Sequence, residues 1–471
     1  MARLTLLDPA LCARTGIWPA QRTWLATGVG GGMLAMAAAP QVVTMAVEGT
    51  LAVAFALLLS IRLLALRYLI SAPATSAAAP EPAARPQFDQ RAVPPTYTVL
   101  VALYREADIV PQLVAALDAL DYPGDKLDII FALEEDDRET ADALAAQRLP
   151  AHMRVVCVPD GRPRTKPRAL CYALTLARGD YVVVYDAEDL PDPDQLKRAM
   201  AAFAAAGGGN VGCLQASLAV NNARQSWLTA QYAIEYTALF DAVVPALARH
   251  RLPVPLGGTS NHFPRHVLEA VGGWDPYNVT EDADLGLRLA RFGWRVDALA
   301  STTWEEAPAS WRTWLGQRTR WQKGWMQTYF VHMREPKRLW HDLGPAAWIW
   351  FQVVFGGGIL SALAHPLFYG LIVVRWLKGE LAPPLEHGIG AWLWWIGIAN
   401  LALAAVATIL LAFITLERRS RRDLFAHALL SPLYWLPISC AAYMAIVEWY
   451  RAPFYWAKTP HGLHKQTRSK P

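Results

Sequence analysis

The feature that most limits how this chain can fold is a set of apolar runs, each about as long as a membrane is thick. They cover residues 24–47, 50–70, 346–376, 391–416 and 424–447. A helix needs about 20 apolar residues to cross a hydrocarbon layer of roughly 30 Å. The sequence therefore predicts a membrane-embedded chain with a large polar region between the second and third runs.

The composition agrees with a membrane protein. Hydrophobic residues make up 54% of the chain and charged residues 18%, whereas soluble domains are about one quarter charged. The 20 tryptophans suit a protein with membrane–water boundaries. A net charge of +4 is too small to indicate nucleic acid as a partner. The five cysteines form no CxxC pair, so we expect neither a disulfide framework nor structural zinc.

The first two runs are predicted to form a helical hairpin with its turn at Glu48-Gly49. A signal peptide is the alternative for the first run, but a second span follows it at once. Arg62 and Arg67, near the end of the second run, place that end in the cytoplasm, because cytoplasmic flanks are enriched in arginine and lysine. We expect a multi-pass protein of the plasma (bacterial inner) membrane with its polar domain in the cytoplasm.

The C-terminal runs leave the topology open. The third run contains Gly356-Gly357-Gly358 and Pro366, so it could be kinked or re-entrant. The arginine cluster 418–422 and the basic tail after Tyr450 both favour the cytoplasm, yet a single crossing by 424–447 would separate them. Either the tail lies outside, or one broken segment does not cross simply.

The polar region shows alternating strand and helix patterns, which predict βαβ units and a parallel, Rossmann-like sheet. Helices are expected to start near Val110, Glu139 and Pro167. The predicted strands are Tyr97–Leu103, Leu127–Leu133, Arg154–Val158 and Tyr181–Tyr185. Ligands of such sheets bind beyond the carboxyl ends of the strands.

Acidic residues follow two of these strands. Asp186 and Glu188 come after the fourth strand and could both face one Mg²⁺ or Mn²⁺, which prefer carboxylate and phosphate oxygens. Glu134 and Asp136 come after the second strand, where a carboxylate could accept the imide N–H of a uracil. The alternatives are a solvated acidic turn and a polar loop that caps the next helix.

Thr280-Glu281-Asp282 has two interpretations. Thr280 could cap a helix whose first turn favours acidic residues. Alternatively, Asp282 could be a general base that takes a proton from an acceptor hydroxyl, with a pKa raised by burial beside other carboxylates.

Further along, Gln317, Arg320 and Trp321 would share one face of a helix. That helix could lie on the membrane surface, line an acceptor site, or do both. Lys166 belongs to a basic loop that could bind phosphate or simply be a solvated turn.

The order of these elements resembles that of processive family 2 glycosyltransferases, which include cellulose, hyaluronan and curdlan synthases. The resemblance covers about residues 97–330, and the motifs Thr-Glu-Asp and Gln-x-x-Arg-Trp together carry it. It implies a GT-A fold, a divalent cation and an inverting reaction on a nucleotide sugar. The metal motif departs from the family pattern, because this chain has Asp-Ala-Glu where Asp-x-Asp is usual.

The resemblance also implies roles for individual residues. Asp282 would be the catalytic base, and Asp186 and Glu188 would hold Mg²⁺ or Mn²⁺ with the diphosphate. The remaining assignments are nucleotide binding by Tyr104, Glu134, Asp136, Lys166 and Asp186, and acceptor or diphosphate binding by Glu281, Gln317, Arg320 and Trp321.

The leading hypothesis is a membrane-embedded enzyme that uses a UDP-sugar such as UDP-glucose to extend a β-linked polysaccharide and, with possible export partners, moves it through the bilayer. The first alternative is transfer of one sugar to a lipid or lipid-phosphate acceptor; the second is a scaffold or transport protein with an inactive transferase domain.

The predicted organisation is a cytoplasmic N-terminal segment, two transmembrane helices, a linker, a GT-A domain with interfacial helices, further transmembrane helices and a basic tail, at residues 1–23, 24–70, 71–95, 96–332, 333–449 and 450–471.

Overall fold

The computed structural model of the chain describes residues 3–71, 94–207, 209–385 and 388–457. Most of the predicted linker and most of the predicted basic tail lie outside these ranges. The described chain forms an α/β domain attached to a bundle of long apolar helices, as the sequence pattern predicts.

The two N-terminal apolar runs form two helices, but the break between them is not where the sequence pattern puts it. After a short helix α1 (Arg3–Leu7), α2 (Pro19–Ala38) ends just before α3 (Pro40–Ser71), which runs unbroken through Glu48 and Gly49. Pro40 cannot donate the backbone hydrogen bond that would continue α2, whereas glutamate and glycine can both be part of a helix. The predicted turn at Glu48-Gly49 is therefore wrong.

The α/β domain is built on one eight-stranded mixed sheet, with spatial order β3-β2-β1-β4-β7-β6-β8-β5. The four strands predicted from the sequence form its parallel half, and two of them have the predicted bounds. The strands are β1 (Tyr97–Leu103), β2 (Leu127–Glu134), β3 (Met153–Val158), β4 (Tyr181–Tyr185), β5 (Leu190–Pro191), β6 (Val211–Val220), β7 (Asn261–Pro264) and β8 (Arg295–Glu305).

Helices cover the sheet and begin close to the predicted positions. They are α4 (Val110–Asp118), α5 (Arg138–Ala145), α6 (Lys166–Leu174), α7 (Gln195–Ala205), α8 (Trp227–Ala238), α9 (Val244–Arg249), α10 (Arg265–Ala270) and α11 (Glu281–Arg291). Strands β1 and β2 are almost fully buried because apolar clusters pack against both faces of the sheet. This burial explains their continuous apolar runs.

The remaining helices connect the α/β domain to the apolar bundle. They are α12 (Trp311–His332), α13 (Pro336–Phe351), α14 (Gly358–Leu377), α15 (Ile389–Arg418), α16 (Phe425–Ala428) and α17 (Trp435–Arg451). A π-helical stretch joins α13 to α14, and Gly344 breaks α13 with a φ of 72°. Within the described residues, three helical segments are long and apolar enough to cross a membrane: α3, the α13–α14 segment and α15.

The last helix, α17, is the second part of a bent apolar segment that could form a fourth span. Arg419, after α15, pairs with Asp241 of the α/β domain, with Nε and Oδ2 2.6 Å apart. At the far end of α17, Glu448 pairs with Lys323 of α12, and a 61° bend separates α17 from the segment before it. Helix α17 therefore runs alongside α12.

Candidate active site

The carboxyl ends of β1, β2 and β4 open into one cavity of about 260 Å³, which α11 and α12 close from the other side. Ten of the residues that line it were singled out by the sequence analysis. They are Tyr104, Glu134, Lys166, Asp186, Glu188, Glu281, Asp282, Gln317, Arg320 and Trp321. The structure thus brings together side chains from six separate stretches of the chain.

The turn after β4 is held by a carboxylate to which the sequence analysis gives no role. Asp189 is buried, and its Oδ2 accepts hydrogen bonds from the Asp186 backbone N–H, at 2.7 Å, and from the Thr259 hydroxyl. Burial, with the nearby carboxylates of Asp186 and Glu188, raises the pKa of Asp189 well above its usual range. Asp189 thus fixes the turn that presents Asp186 and Glu188.

Lys166 is the cation closest to this turn. It begins α6, and its Nζ donates to the Asp186 carboxylate and, at 2.8 Å, to the Gly258 carbonyl. Burial alone would lower the pKa of Lys166, but the carboxylates of Asp186 and Glu281 raise it above its usual value. The side chain is therefore a positively charged donor in the cavity.

The donor atoms at the turn fit a divalent cation that is shared with a bound diphosphate. Asp186 and Glu188 supply carboxylate oxygens at the cavity wall, the ligand type that Mg²⁺ and Mn²⁺ prefer. No cluster of three or more His, Cys, Asp or Glu side chains with metal-binding geometry occurs among the residues described. Two protein carboxylates with phosphate oxygens and water are a usual arrangement for a magnesium ion bound with a nucleotide.

Glu134 and Asp136, the two acids proposed to bind the nucleobase, each form an ion pair with an arginine. Glu134 is buried and accepts two hydrogen bonds from Nη1 of Arg168, at 3.0 and 3.1 Å. Asp136 pairs with Arg164 at 2.6 Å in an exposed position and is not part of the cavity lining. The Arg164 guanidinium also lies 5.9 Å from the Tyr104 ring centroid. Arg164 thus lies beside Tyr104 in the cavity lining.

Glu281 and Asp282 occupy the first turn of α11, where the helix N-terminus favours negative charge. Asp282 Oδ1 accepts a hydrogen bond from the Ala283 N–H at 2.7 Å. A Cβ on Gly258 would lie 3.2 Å from Asp282 Oδ2, so this glycine leaves room beside the carboxylate. Burial raises the pKa of Asp282 and, with the Asp282 charge, raises that of Glu281 to about 8. The predicted Thr280 side-chain cap is absent.

A buried ionic network supports α11 from behind. Asp284 accepts hydrogen bonds from Arg288 Nε at 2.7 Å and from His332 Nε2 at 3.0 Å. Arg288 also donates to the carbonyls of Val271 and Gly273. This network joins α11 to the end of α12 and so fixes the first turn of α11 relative to α12.

Helix α12 contributes the face that the sequence pattern predicts. Arg320 Nη1 donates to the Val279 carbonyl at 3.0 Å, and its guanidinium lies 4.3 Å from the ring centroid of Trp456. Trp321 stacks with Tyr236 at a centroid distance of 6.4 Å, and Tyr236 stacks with Tyr232 at 4.4 Å. An aromatic wall therefore bounds the side of the cavity nearest α12.

Several lining residues were not singled out as site residues from the sequence. Tyr232 and Tyr236 come from α8, Glu305 ends β8, and Trp456 follows the last apolar segment. Burial and the carboxylates of Asp189, Glu188 and Asp186 raise the pKa of Glu305 well above its usual value. No local spacing signals these residues, since only the tertiary fold brings α8 and the C-terminal segment to the cavity.

The chain is similar in sequence to known proteins. A family model described as "Glycosyltransferase like family 2" matches residues 94–324. "Probable glycosyltransferase YdaM" of Bacillus subtilis (strain 168) is 27% identical over 293 residues, which are 59% of this chain and 68% of that protein. "Beta-monoglucosyldiacylglycerol synthase" of Synechocystis sp. is 28% identical over 335 residues, which are 66% of this chain and 65% of that protein.

Among solved structures, the mannosyltransferase PcManGT from Pyrobaculum calidifontis, in complex with GDP-Man and Mn²⁺, is similar with a TM-score of 0.51. The similarity covers 86% of this chain and 98% of that chain at 21% sequence identity. It confirms the predicted fold class, a GT-A-like α/β domain with long apolar helices. The residue roles implied by the family resemblance stay predictions.

Proposed function

We propose, on the premise that residues 94–324 are a family 2 glycosyltransferase domain and the chain is a glycosyltransferase, that it transfers one sugar from a nucleotide sugar to a hydroxyl of a membrane lipid. The observation that carries this proposal is the position of α12. The helix lines the cavity through Gln317, Arg320 and Trp321, and its other side packs against α14 and α17 of the apolar bundle. An acceptor at the membrane surface can therefore reach the cavity directly.

The donor would bind on the sheet side of the cavity. Tyr104 and Arg164 would contact the nucleoside, and the cations of Lys166 and Arg320 would contact the diphosphate. Asp186 and Glu188 would hold Mg²⁺ or Mn²⁺, which would neutralise charge on the departing diphosphate. The Asp189 hydrogen bonds keep the turn with those two carboxylates in place.

The transfer step follows from the place of Asp282. Its carboxylate takes the proton of the acceptor hydroxyl while that oxygen forms a bond to the anomeric carbon of the sugar. The bond between the anomeric carbon and the diphosphate oxygen breaks, and the nucleoside diphosphate leaves with that electron pair. A single displacement of this kind inverts the anomeric configuration. The raised pKa of Asp282 suits a base, because it brings the carboxylate closer to the pH at which it works.

The curated relative from Synechocystis supports a lipid acceptor, because its name describes a glucosyldiacylglycerol product. The small size of a cleft between the apolar helices also supports a lipid acceptor over an exported polymer. A cleft between α3, α14, α15 and α17 has a volume of about 30 Å³, which is space for one or two water molecules rather than a sugar ring. Passage of a glycan through that cleft would require the helices to separate.

Processive synthesis of a β-glycan is the second candidate, and the aromatic wall is the observation that favours it. Trp321, Tyr236 and Tyr232 present flat rings along the side of the cavity away from the sheet. Successive sugar rings of a growing chain could stack on them. In this second candidate, UDP-glucose would be the donor. The growing glycan would be exported through the bilayer, with possible export partners.

Product analysis distinguishes the two candidates. Purified full-length protein in vesicles that contain diacylglycerol would be incubated with Mg²⁺ or Mn²⁺ and labelled UDP-glucose, UDP-galactose or GDP-mannose in turn. We expect label in the organic extract as a lipid with one sugar. An insoluble product of many sugars would establish the second candidate instead. The Asp282→Asn variant is the matched control for enzyme-dependent label.

A further inference from the structure

A polar cluster lies between the apolar helices, outside the cavity of the α/β domain. Arg62 of α3, Ser361 and His365 of α14 and Asn400 of α15 line the small cleft described above, together with Trp435 of α17. Polar and ionisable side chains between membrane helices are costly and commonly mark a binding site. The charge and the hydrogen-bonding atoms of these side chains indicate which kind of ligand they could bind.

The guanidinium of Arg62 is held in place but not neutralised there. Its Nε donates to the Thr408 hydroxyl at 2.9 Å, and its centre lies 5.5 Å from the Trp435 ring centroid. The Thr408 hydroxyl donates in turn to the Ala404 carbonyl at 2.7 Å. Among the described residues, neither aspartate nor glutamate lines the cleft. An anion from outside the protein would therefore balance the charge of Arg62.

Of the other polar side chains in the cleft, His365 has a nitrogen atom that is available to the same anion. His365 Nδ1 lies 2.7 Å from the Ser361 carbonyl, which places the hydrogen on Nδ1 and leaves Nε2 available. The amide nitrogen of Asn400 is already used, since it donates to the Ala52 carbonyl at 2.9 Å. The rings of Phe55 and Trp435 lie about 5 Å from the His365 ring and hold it between them.

The position of Arg62 along α3 indicates where the anion comes from. Ala65 and Leu69, one and two turns further on, pack against Ala242 and Ala246 of the α/β domain. Arg62 is three residues before Ala65, or about 4.5 Å along the helix axis, so it lies where α3 enters the bilayer. Lipid phosphates lie at that depth, and Trp435 is of the residue type enriched there.

We propose that this cleft binds a phosphate group, as carried by a membrane phospholipid, with Arg62 as the principal ligand and His365 as the second. Arginine suits this role because its planar fork of N–H donors matches two phosphate oxygens. The small volume of the cleft admits the phosphate oxygens, while the rest of the lipid lies outside along the apolar helices. The site is separate from the proposed transfer reaction and does not depend on it.

Lipid titration of the full-length protein in detergent tests this proposal. Binding of phosphatidylglycerol and of diacylglycerol with the same acyl chains would be measured by native mass spectrometry. We expect Arg62→Gln to weaken phosphatidylglycerol binding about tenfold, because a charged hydrogen-bonding contact is lost, and to leave diacylglycerol binding unchanged. Arg67→Gln is the matched control, since Arg67 is an exposed arginine of the same helix.

Equal phosphatidylglycerol affinity of the wild type and Arg62→Gln would overturn the proposal, and so would an equal loss in Arg67→Gln. If Arg62→Gln does not fold, Thr408→Val keeps the charge and removes the hydroxyl that orients it. We then expect a severalfold loss, and an unchanged affinity would overturn the proposal. Competition by millimolar inorganic phosphate would identify free phosphate as a further source of the ligand, and its failure to compete would assign the site to lipid.

Discussion

At the scale of single residues, the neighbouring carboxyls of Glu281 and Asp282 make the charge of the cavity depend on pH. Glu281 is buried and Asp282 is half-buried at the start of α11, and the loss of solvent raises both pKa values. The cations of Lys166 and Arg320 lower them again, but not enough to restore the usual values. Two neighbouring acids in one buried turn therefore retain protons that the unfolded chain would release.

We predict that Glu281→Gln stabilises the protein at alkaline pH. Because the pKa of Glu281 is raised to about 8 by burial, the folded state holds a proton that the unfolded chain loses near pH 4.5. The stability that this proton provides is complete below about pH 4.5 and is lost as the pH rises to about 8. The unfolding temperature of the variant should match the wild type near pH 5 and exceed it by a few degrees at pH 8.5.

The exposed Glu139, in the first turn of α5, provides a matched control for this measurement. Glu139→Gln should leave the pH dependence of the unfolding temperature unchanged. A Glu281→Gln variant with the same pH profile as the wild type would show that Glu281 ionises normally.

At the scale of elements, the contact of α12 with the loop before α11 positions the proposed base. Gly324 of α12 lies against Thr280, and a Cβ added there would be 2.3 Å from the Thr280 hydroxyl oxygen. The two elements can approach this closely only because residue 324 has no side chain.

We predict that Gly324→Ala lowers the transfer rate about 10- to 100-fold, since displacement of Thr280 moves Asp282 and misplacements of about 1 Å cost rates of this size. Initial rates at saturating donor would measure the effect. Gly316→Ala is the matched control on the same helix, because a Cβ at Gly316 would meet nothing within 4 Å. It should keep full activity, and equal losses in both variants would contradict the positioning role.

A buried ion pair joins the end of α15 to the α/β domain, in addition to the apolar packing of Ala412 and Leu416. Arg419 donates two hydrogen bonds of 2.6 Å to Asp241 and one of 2.7 Å to the Ser217 hydroxyl. We predict that Arg419→Gln lowers the free energy of unfolding by about 3 kcal/mol, because Asp241 stays buried without its partner. Chemical denaturation would measure this loss.

The exposed pair of Arg422 and Glu417 is the comparison, since both side chains are largely in solvent. Arg422→Gln should leave the denaturation midpoint unchanged. A small loss in Arg419→Gln, equal to that of Arg422→Gln, would show that the buried pair does not anchor α15.

The parallel half of the sheet could be predicted from the sequence, and its other half could not. Strands β1 and β4 have strong local signals, because each is a short apolar run that ends at a polar turn. Strand β6 is also buried, but nothing in its sequence specifies that it pairs antiparallel with β7 and parallel with β8. Such pairings depend on contacts between residues far apart in the chain.

The same limit applies to the cavity. Motif residues such as Asp186 and Trp321 could be found because their spacing carries information. Tyr236 and Trp456 could not be found, since they reach the cavity only through the packing of α8 and of the segment after α17. The engagement of Glu134 by Arg168 likewise depends on the placement of α6 against β2.

At the scale of the whole molecule, the described contacts favour a position of the arginine cluster and the start of the tail on one side of the membrane. Both flanks of α17 contact the α/β domain or α12, so both should lie on the same side of the membrane. Leu381, after α14, accepts a hydrogen bond from Trp394 near the start of α15, at the opposite end of that helix from Arg418, whose guanidinium donates to the Leu69 carbonyl.

We predict that an impermeant thiol reagent labels Ser420→Cys and Arg451→Cys from one face of sealed vesicles and Glu380→Cys from the other. The exposed Cys157 and Cys440 would first be replaced by serine to remove background labelling. Labelling of Arg451→Cys together with Glu380→Cys would mean that the last helix crosses the membrane.

The central claim is that the cavity is a glycosyl-transfer site in which Asp282 removes the acceptor proton. The most direct test compares wild type and Asp282→Asn in one preparation, by calorimetric donor binding and by the initial rate of sugar transfer. We predict a donor dissociation constant within about threefold of the wild type and a transfer rate about 10²- to 10⁴-fold lower, since the variant loses the base and keeps the diphosphate contacts. Substantial turnover by Asp282→Asn would contradict the account.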